Sequence, residues 1–490
     1  MTEVAERAGR REWCGLVVLV LPTLLVAIDI NALFLALPAL TAALGTSSAE
    51  QLWIIDAYGF MVAGFLITMG TLGDRIGRRR LLLVGGAAFG LASLAAAFAT
   101  TPGLLIAARI ALGVAGATLM PSTLALITSM FADRAQRGTA IAVWATCQFA
   151  GAALGPVLGG LLLERFWWGS VFLLAVPVMV LLLLLGPVLL PEHRDPGAGR
   201  LDLPAVALSL LAVLPIVYGL KELAVGTGFA PTVVAALAVG LVCGALFARR
   251  QLRSTDPLLD LRLLAERSFG AVLATLTFAG VVMAGAGMLV TQYLQTVLGY
   301  SPTLSAWWFA PMGLAVAAGT LLTPTITKWI SPRTAISGGL VLSAAGSALL
   351  ALTDGVGTVV TAVAVLALGT GPLFALGTGI VVGSVPPERA GSAASMSETA
   401  NHLGGTLGIA VLGTIAGAIY RHHMADLPGP ARETVAGATA AAAALPPGEA
   451  ADLVAAAHGA FTSGLHTVGV IGALVFASLA LLLVTRLPRQ

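Results

Sequence analysis

The chain has 490 residues, 58% of them hydrophobic and only 10% charged, with a formal net charge of +3. Soluble domains carry about 25% charged residues, so a water-soluble domain is excluded, and so small a basic excess speaks to membrane orientation rather than to nucleic acid. The charges fall between long apolar runs, which is the pattern of an all-α membrane protein.

Apolar runs of about 20 residues predict spans near 14–37, 53–72, 81–99, 103–131, 138–163, 168–190, 203–222, 231–250, 268–291, 303–329, 334–353, 358–383, 391–420 and 462–486, fourteen in all. The first run is too long for a signal-peptide core and is read as a retained helix. With the N-terminus inside, Arg165, Lys221, Arg421 and Arg432 fall outside, Arg109 lies within a span, and the remaining basic residues are inside, which places both termini in the cytoplasm. The polar stretch 191–200 and the basic stretch 249–267 bracket two spans, and removing that pair leaves six before and six after. The expected organisation is a six-helix bundle over 1–190, an inserted helix pair with its flanking loops over 191–257, and a second six-helix bundle over 258–490. An Ala-, Pro- and Gly-rich external segment at about 421–461 either folds as a short hairpin over the mouth or stays mobile. Cys14, Cys147 and Cys243 each sit inside an apolar run, which argues against a disulfide framework, and no metal-ligand spacing appears, so neither metal nor cofactor is expected.

The gap between the second and third spans reads Gly70-Thr-Leu-Gly73-Asp74-Arg75-Ile-Gly77-Arg78-Arg79-Arg80. Its four arginines are expected to be solvated, and its glycines permit a tight turn, so it is read as a short cytoplasmic hinge. Lys328 to Arg333 holds the same place in the second half without the acid or the glycines, which makes the internal repeat faint. On the fifth span, Gly151, Gly155, Pro156 and Gly159 set small residues at four-residue spacing, which lets helices touch backbone to backbone, and the proline weakens the helix as a rocking hinge would need. The fourth span carries Leu105-Ile-Ala-Ala-Arg109-Ile-Ala-Leu-Gly113. The first two carry Ile28-Asp29-Ile-Asn31 through Pro38 and Leu52-Trp53-Ile-Ile-Asp56-Ala-Tyr58, and a late span carries Ser397-Glu398-Thr-Ala-Asn401-His402-Leu-Gly404-Gly405-Thr-Leu-Gly408.

These motifs resemble those of the major facilitator superfamily of secondary transporters. The hinge resembles its loop signature, the Gly151–Gly160 stretch its antiporter motif, and the Asp29, Asp56 and Glu398 segments those of its fourteen-helix drug-proton antiporters, quaternary ammonium and multidrug efflux branch. The resemblance covers both halves. It implies the major facilitator fold, a bacterial cytoplasmic membrane and a role for Arg109 in proton transfer.

Of 23 acidic residues, only Asp29, Asp56 and Glu398 lie within predicted spans. An acid in hydrocarbon costs about 2.5 to 3.5 kcal/mol on the lenient insertion scale, so each needs an offset. Asp56 sits near a helix start, where an acid is favoured without any function. Asp29 lies beyond the midpoint of its span and is harder to explain structurally. Glu398 has His402 one turn away, read either as a coupled titrating partner or as a structural hydrogen-bonded pair. Arg109 either snorkels to the interface or sits near the two aspartates. Tyr58, Trp144, Phe149, Trp307, Trp308 and Phe309 are candidates to line an apolar, cation-attracting cavity, although each aromatic taken alone better suits an interfacial belt.

The expected function is proton-coupled export of lipophilic cations by alternating access, in which proton and drug compete for carboxylates. Asp29, Asp56, Arg109 and Glu398 would carry proton coupling, and Asp29, Asp56 and Glu398, with the aromatics, the drug's charge. Gly70, Gly73, Asp74, Arg75, Gly77, Arg78, Arg79 and the fifth-span glycines and proline would gate. Export of an endogenous metabolite, antibiotic or lipid would use the same machinery, and a nutrient symporter would share the fold. A membrane enzyme is disfavoured because the histidines lack neighbouring ligands or nucleophiles. Protons, small cations and membrane lipid are the expected partners, and the protein is expected to be a monomer.

Overall fold

A computed structural model of the chain describes residues 8–46, 48–192, 194, 202–225, 230–254, 261–385, 390–425 and 430–486. Helices begin where the sequence supplies caps. Thr101, Ser301 and Ser331 each accept from the backbone N–H three residues on and are followed by proline at the first helical position, while Asp133 accepts from Gln136. The apolar runs between caps have no water to satisfy their backbone, so they are helical throughout.

The first bundle comprises α1 (Arg10–Leu44), α2 (Ser48–Ile76), α3 (Arg78–Ala97), α4 (Pro102–Met130), α5 (Arg134–Arg165), the single turn α6 (Ser170–Leu173) and α7 (Ala175–Leu189). A hairpin follows, α8 (Leu203–Val225) and α9 (Pro231–Arg253). The second bundle comprises α10 (Arg267–Gln292), α11 (Pro302–Ile326), α12 (Pro332–Leu350), α13 (Val356–Gly383), α14 (Ala390–His423) and α17 (Pro447–Arg486), with the short α15 (Pro430–Glu433) and α16 (Val435–Ala442) before the last. Among the described residues, eleven helices are long and apolar enough to cross a bilayer, or twelve if α2, bent by 53° between Leu66 and Thr68, is one span. The expected count of fourteen exceeds this by α5 and α8. Exposed Leu184 and Val188 on α7 and Leu241 and Val242 on α9 are the lipid-facing apolar surface that such a protein presents.

The repeat that is faint in sequence is plain in packing. In the first bundle α1 packs on α5 and α7, α4 on α2 and α3, and α3 on α7. In the second, α10 packs on α14 and α17, α13 on α11 and α12, and α12 on α17. Glycines allow the closest of these contacts. A Cβ at Gly151 would lie 2.5 Å from Leu24 O of α1, and Cβ atoms at Gly404 and Gly408 would lie 2.2 and 2.1 Å from Thr277 O and Val281 O of α10. The bundles meet along a seam where α5 packs on α11 and α13, and α2 and α4 pack on α14. α8 touches both α2 and α14 across that seam.

Two expectations need correction and a third is refined. The hinge is not a solvated loop: Gly77, at φ +110°, is the one residue between α2 and α3, and Arg78 is fully buried because Asp74, one turn earlier, receives its guanidinium. The span expected over 168–190 is interrupted by a turn at Leu174 between α6 and α7 yet stays one candidate span, Ser170–Leu189. The span expected from 462 starts at Pro447, because its first turns pack with α16 and the end of α14 into a small core around Tyr420, Val435, Ala438 and Ala457. Residues 195–201 and 255–260, at the edges of the inserted pair, lie outside the described residues, as do 426–429 of the external segment.

Candidate transport site

Two separate polar sites occupy the interior. The first lies inside the first bundle. Arg109 of α4 is 1% exposed and therefore does not snorkel. Its Nη1 donates to Asp29 Oδ2 of α1 at 2.8 Å, its Nε donates to the backbone O of Ile54 of α2 at 3.0 Å, and its guanidinium lies 4.7 Å from the Tyr58 ring centroid. Phe172 of α6 adds a second ring at 5.9 Å. The R-x-x-x-G spacing explains the site: a Cβ at Gly113, one turn beyond Arg109, would lie 2.6 Å from Tyr58 O, so glycine there lets α2 bring Ile54 and Tyr58 to the arginine. Asp29 is thus an ion-paired carboxylate in this conformation. The Tyr58 hydroxyl, also buried, has no hydrogen-bond partner among the described residues. The side chains of Asp56, Phe149 and Pro156 lie outside those described.

The second site lies at the seam. Glu398 of α14 is 4% exposed, and Gln148 Nε2 of α5 donates to its Oε2 at 3.4 Å. Trp144, Ala145, Leu276, Phe374, Thr378 and Asn401 surround them around a cavity of about 10 Å³, which is room for about one water. Trp144 Nε1 donates to Thr123 Oγ1 at 3.1 Å, fixing the indole plane beside that cavity. Two turns of α5 supply a further tie, since Thr146 Oγ1 lies 2.6 Å from Thr320 Oγ1 of α11. Trp307 and Trp308 are exposed, Phe309 packs against Gly287, and none of the three lines this cavity.

At the hinge end, Arg78 Nε donates to Asp74 Oδ1 at 2.8 Å in a largely buried pair. A Cβ at Gly73 would lie 2.7 Å from Arg78 Nη1, and one at Gly77 would lie 2.5 Å from Glu192 Oε1. Glu192 accepts from the Arg79 backbone N–H at 3.1 Å and pairs with the Arg79 and Arg80 side chains, while Arg79 Nη1 donates to Leu190 O at 3.0 Å. Gly70 is buried and Arg75 half-buried in the same turn of α2. On the inserted pair, Arg250 donates twice to Asp202, and those hydrogen bonds hold the Asp202 carboxyl below its ordinary range.

Sequence reasoning passed over Gln148, Thr146, Thr320 and Glu192. The signal for the first two was present, as polar residues inside the fifth span just before its glycine motif. Glu192 offered none, because its partners are more than 100 residues away.

Two bundles packed by one scheme, a buried ion pair inside one of them and a buried acid on the seam are parts that a secondary carrier uses. The sequence model of the Major Facilitator Superfamily matches residues 19–409. The multidrug efflux pump LfrA of Mycolicibacterium smegmatis is 42% identical over 98% of this chain and 97% of its own length. The methyl viologen resistance protein SmvA of Salmonella typhimurium is 36% identical over 83% of this chain and 82% of its own, and the puromycin resistance protein pur8 of Streptomyces alboniger 37% over 85% and 84%. In fold, the chain resembles the human organic anion transporter MFSD10 with a TM-score of 0.61 at 15% identity, covering 95% of this chain and 99% of that one. The chain belongs to the major facilitator superfamily and is a multi-pass membrane protein.

Proposed function

We propose that the protein is a proton-coupled antiporter that exports lipophilic cations by alternating access, as a monomer in a bacterial cytoplasmic membrane with both termini in the cytoplasm. The observation that carries this reading is the pair of buried carboxylates in different settings. Asp29 has a fixed cation beside it, whereas Glu398 lies on the seam with an amide as its hydrogen-bond partner and no cation among the described residues. A buried acid without a counter-ion is offset either by a proton or by a cationic substrate, and competition between the two is antiport. Counting α5 and α8 with the other spans gives fourteen crossings. The hinge end then carries Arg75, Arg78, Arg79, Arg80, Arg250, Arg253 and Lys328, and the far end Arg165, Lys221, Arg421 and Arg432, an asymmetry that supports a cytoplasmic hinge.

On this reading Arg109 keeps Asp29 charged-paired until a proton takes its place, Glu398 exchanges proton for drug at the seam, and Trp144 offers an aromatic face to the cation. The Asp74–Arg78–Glu192 cluster latches the cytoplasmic end. Methyl viologen, named for one relative, is a dication of the expected kind. The test is ethidium efflux from loaded vesicles under an imposed pH gradient, comparing the intact protein with Asp29→Asn. Gradient-dependent efflux that the variant loses is expected; efflux unchanged when the gradient is collapsed overturns proton coupling.

A further inference from the structure

We infer that Gln148 is a positioning residue that makes closure of the hinge end in the drug-free carrier depend on a proton at Glu398. The inference rests on the proton-coupled reading above and adds the device by which one proton changes the conformation.

α5 starts at the hinge end, so Ile141, Thr146 and Gln148 lie about 10 to 21 Å along it, in the first half of its 32 residues. Each of the three ties the bundles there. Ile141 meets α13 at Gly379, Thr146 meets Thr320 of α11, and Gln148 meets Glu398 of α14. The first contact is apolar and the second joins two neutral hydroxyls, so neither can respond to pH. The third joins an amide to a carboxyl.

With a proton on Glu398, acid and amide complement each other twice: the carboxyl O–H donates to the amide oxygen while the amide N–H donates to the other carboxyl oxygen. Without the proton, one N–H faces a full negative charge and the amide oxygen faces it as well. A buried ionised carboxylate with so little compensation is costly, so ionisation is coupled to parting of the seam: water that enters as the seam opens takes the proton from Glu398 and solvates the carboxylate. The residues that surround it from α5, α10 and α13 are Trp144, Ala145, Gln148, Leu276, Phe374 and Thr378, none of them acid or base. His402, one turn along the same helix, is the other titratable side chain nearby. In this drug-free conformation the cavity of about 10 Å³ does not admit a drug-sized cation, so a drug-loaded carrier, which must also close its hinge end to export, closes around a wider site. Closure around the acid–amide pair therefore belongs to the proton-loaded, drug-free carrier.

The full-length protein in lipid nanodiscs, spin-labelled through non-canonical residues at the exposed positions 132 and 328 on either side of the hinge-end seam, tests this by distance measurement from pH 5 to 9. The native cysteines stay in place. In the wild type the short-distance population should fall as pH rises. Gln148→Leu should lower the closed-to-open ratio at low pH by about tenfold, the equivalent of one to two net hydrogen bonds. Glu398→Gln, a neutral mimic of the protonated acid, should stay closed at all pH, and Gln148→Lys should reverse the dependence by closing on the ionised carboxylate. His402→Gln should respond like the wild type. A Gln148→Leu protein with the wild-type profile, a Gln148→Lys protein that still closes at low pH, or a His402→Gln protein that has lost the response overturns the inference. Efflux from sealed proteoliposomes of the same protein separates the two readings: coupled efflux with distances insensitive to pH sinks the gate alone, whereas efflux indifferent to a pH gradient sinks proton coupling itself.

Discussion

Arg109 and Asp29 form a closed ion pair 80 residues apart in sequence, at 2.8 Å and with both side chains almost wholly buried. Such a pair gains little over an apolar substitute but is costly to break from one side, about 3–5 kcal/mol, because the remaining charge is left uncompensated. Arg109→Leu should therefore destabilise the protein by up to this amount, less whatever Asp29 recovers by taking up a proton. Asp29→Asn/Arg109→Leu should be more stable than the arginine variant alone. A double-mutant cycle on thermal unfolding in nanodiscs measures this, and strictly additive effects would show that the pair is not coupled.

The glycine contacts predict a sharp positional contrast. At Gly408 a Cβ would lie 2.1 Å from Val281 O, so Gly408→Ala must push α14 away from α10. At Gly160 nothing lies within 4 Å, and Gly160→Ala should behave as the wild type. Overpacking typically costs about 1–3 kcal/mol. Comparison of the two melting temperatures checks this; equal values would mean that the bundles are not held by backbone approach at these glycines.

Much of this arrangement was legible in the sequence, because burial in a membrane makes every polar residue conspicuous. Arg109, Asp29 and Glu398 stood out for that reason, and the R-x-x-x-G spacing already held the geometry that lets Tyr58 under the guanidinium. The burial of Arg78 was not legible: arginine beside arginine reads as solvated, and only the fold shows that α2 continues to Ile76 and returns Asp74 to it. Gln148 was overlooked because an amide has no charge to betray it, and its role depends on a partner 250 residues away. Trp307 and Trp308 are exposed in this conformation, away from the seam cavity. Aromatic character suits both a cavity and a membrane rim, and periodicity cannot decide which side of α11 faces inward.

The hinge predicts a separation of rate from affinity. Asp74 and Arg78 are buried against one another at the end of α2, and Glu192 clamps the start of α3, none of them at either interior site. Asp74→Asn should slow efflux turnover severalfold while drug affinity stays nearly constant, because it shifts the balance of conformations rather than a binding contact. Glu192→Gln, whose partners are partly exposed, should do the same more weakly. Drug-binding titrations run alongside efflux rates check this, and a large loss of binding by folded Asp74→Asn would count against the assignment.

The last prediction concerns charge selection. Asp29 already has Arg109, so its charge is not free to attract a substrate in this conformation, whereas Glu398 has no cation among the described residues. Glu398 should therefore set the preference for positive charge once the seam opens to admit a drug. The Coulomb energy between one carboxylate and a dication is about twice that with a monocation at equal distance. If Glu398→Gln weakens binding of the monocation ethidium by about tenfold, or roughly 1.4 kcal/mol, the dication methyl viologen should lose about a hundredfold. Neutral lipophilic dyes should lose only what the greater closure of Glu398→Gln takes from every ligand, and Asp29→Asn should change the pH dependence of transport without the same grading by charge. Binding isotherms for the three ligand classes at fixed pH and low salt supply the comparison. Equal losses for monocation and dication would remove Glu398 from charge recognition and leave it as a proton site alone.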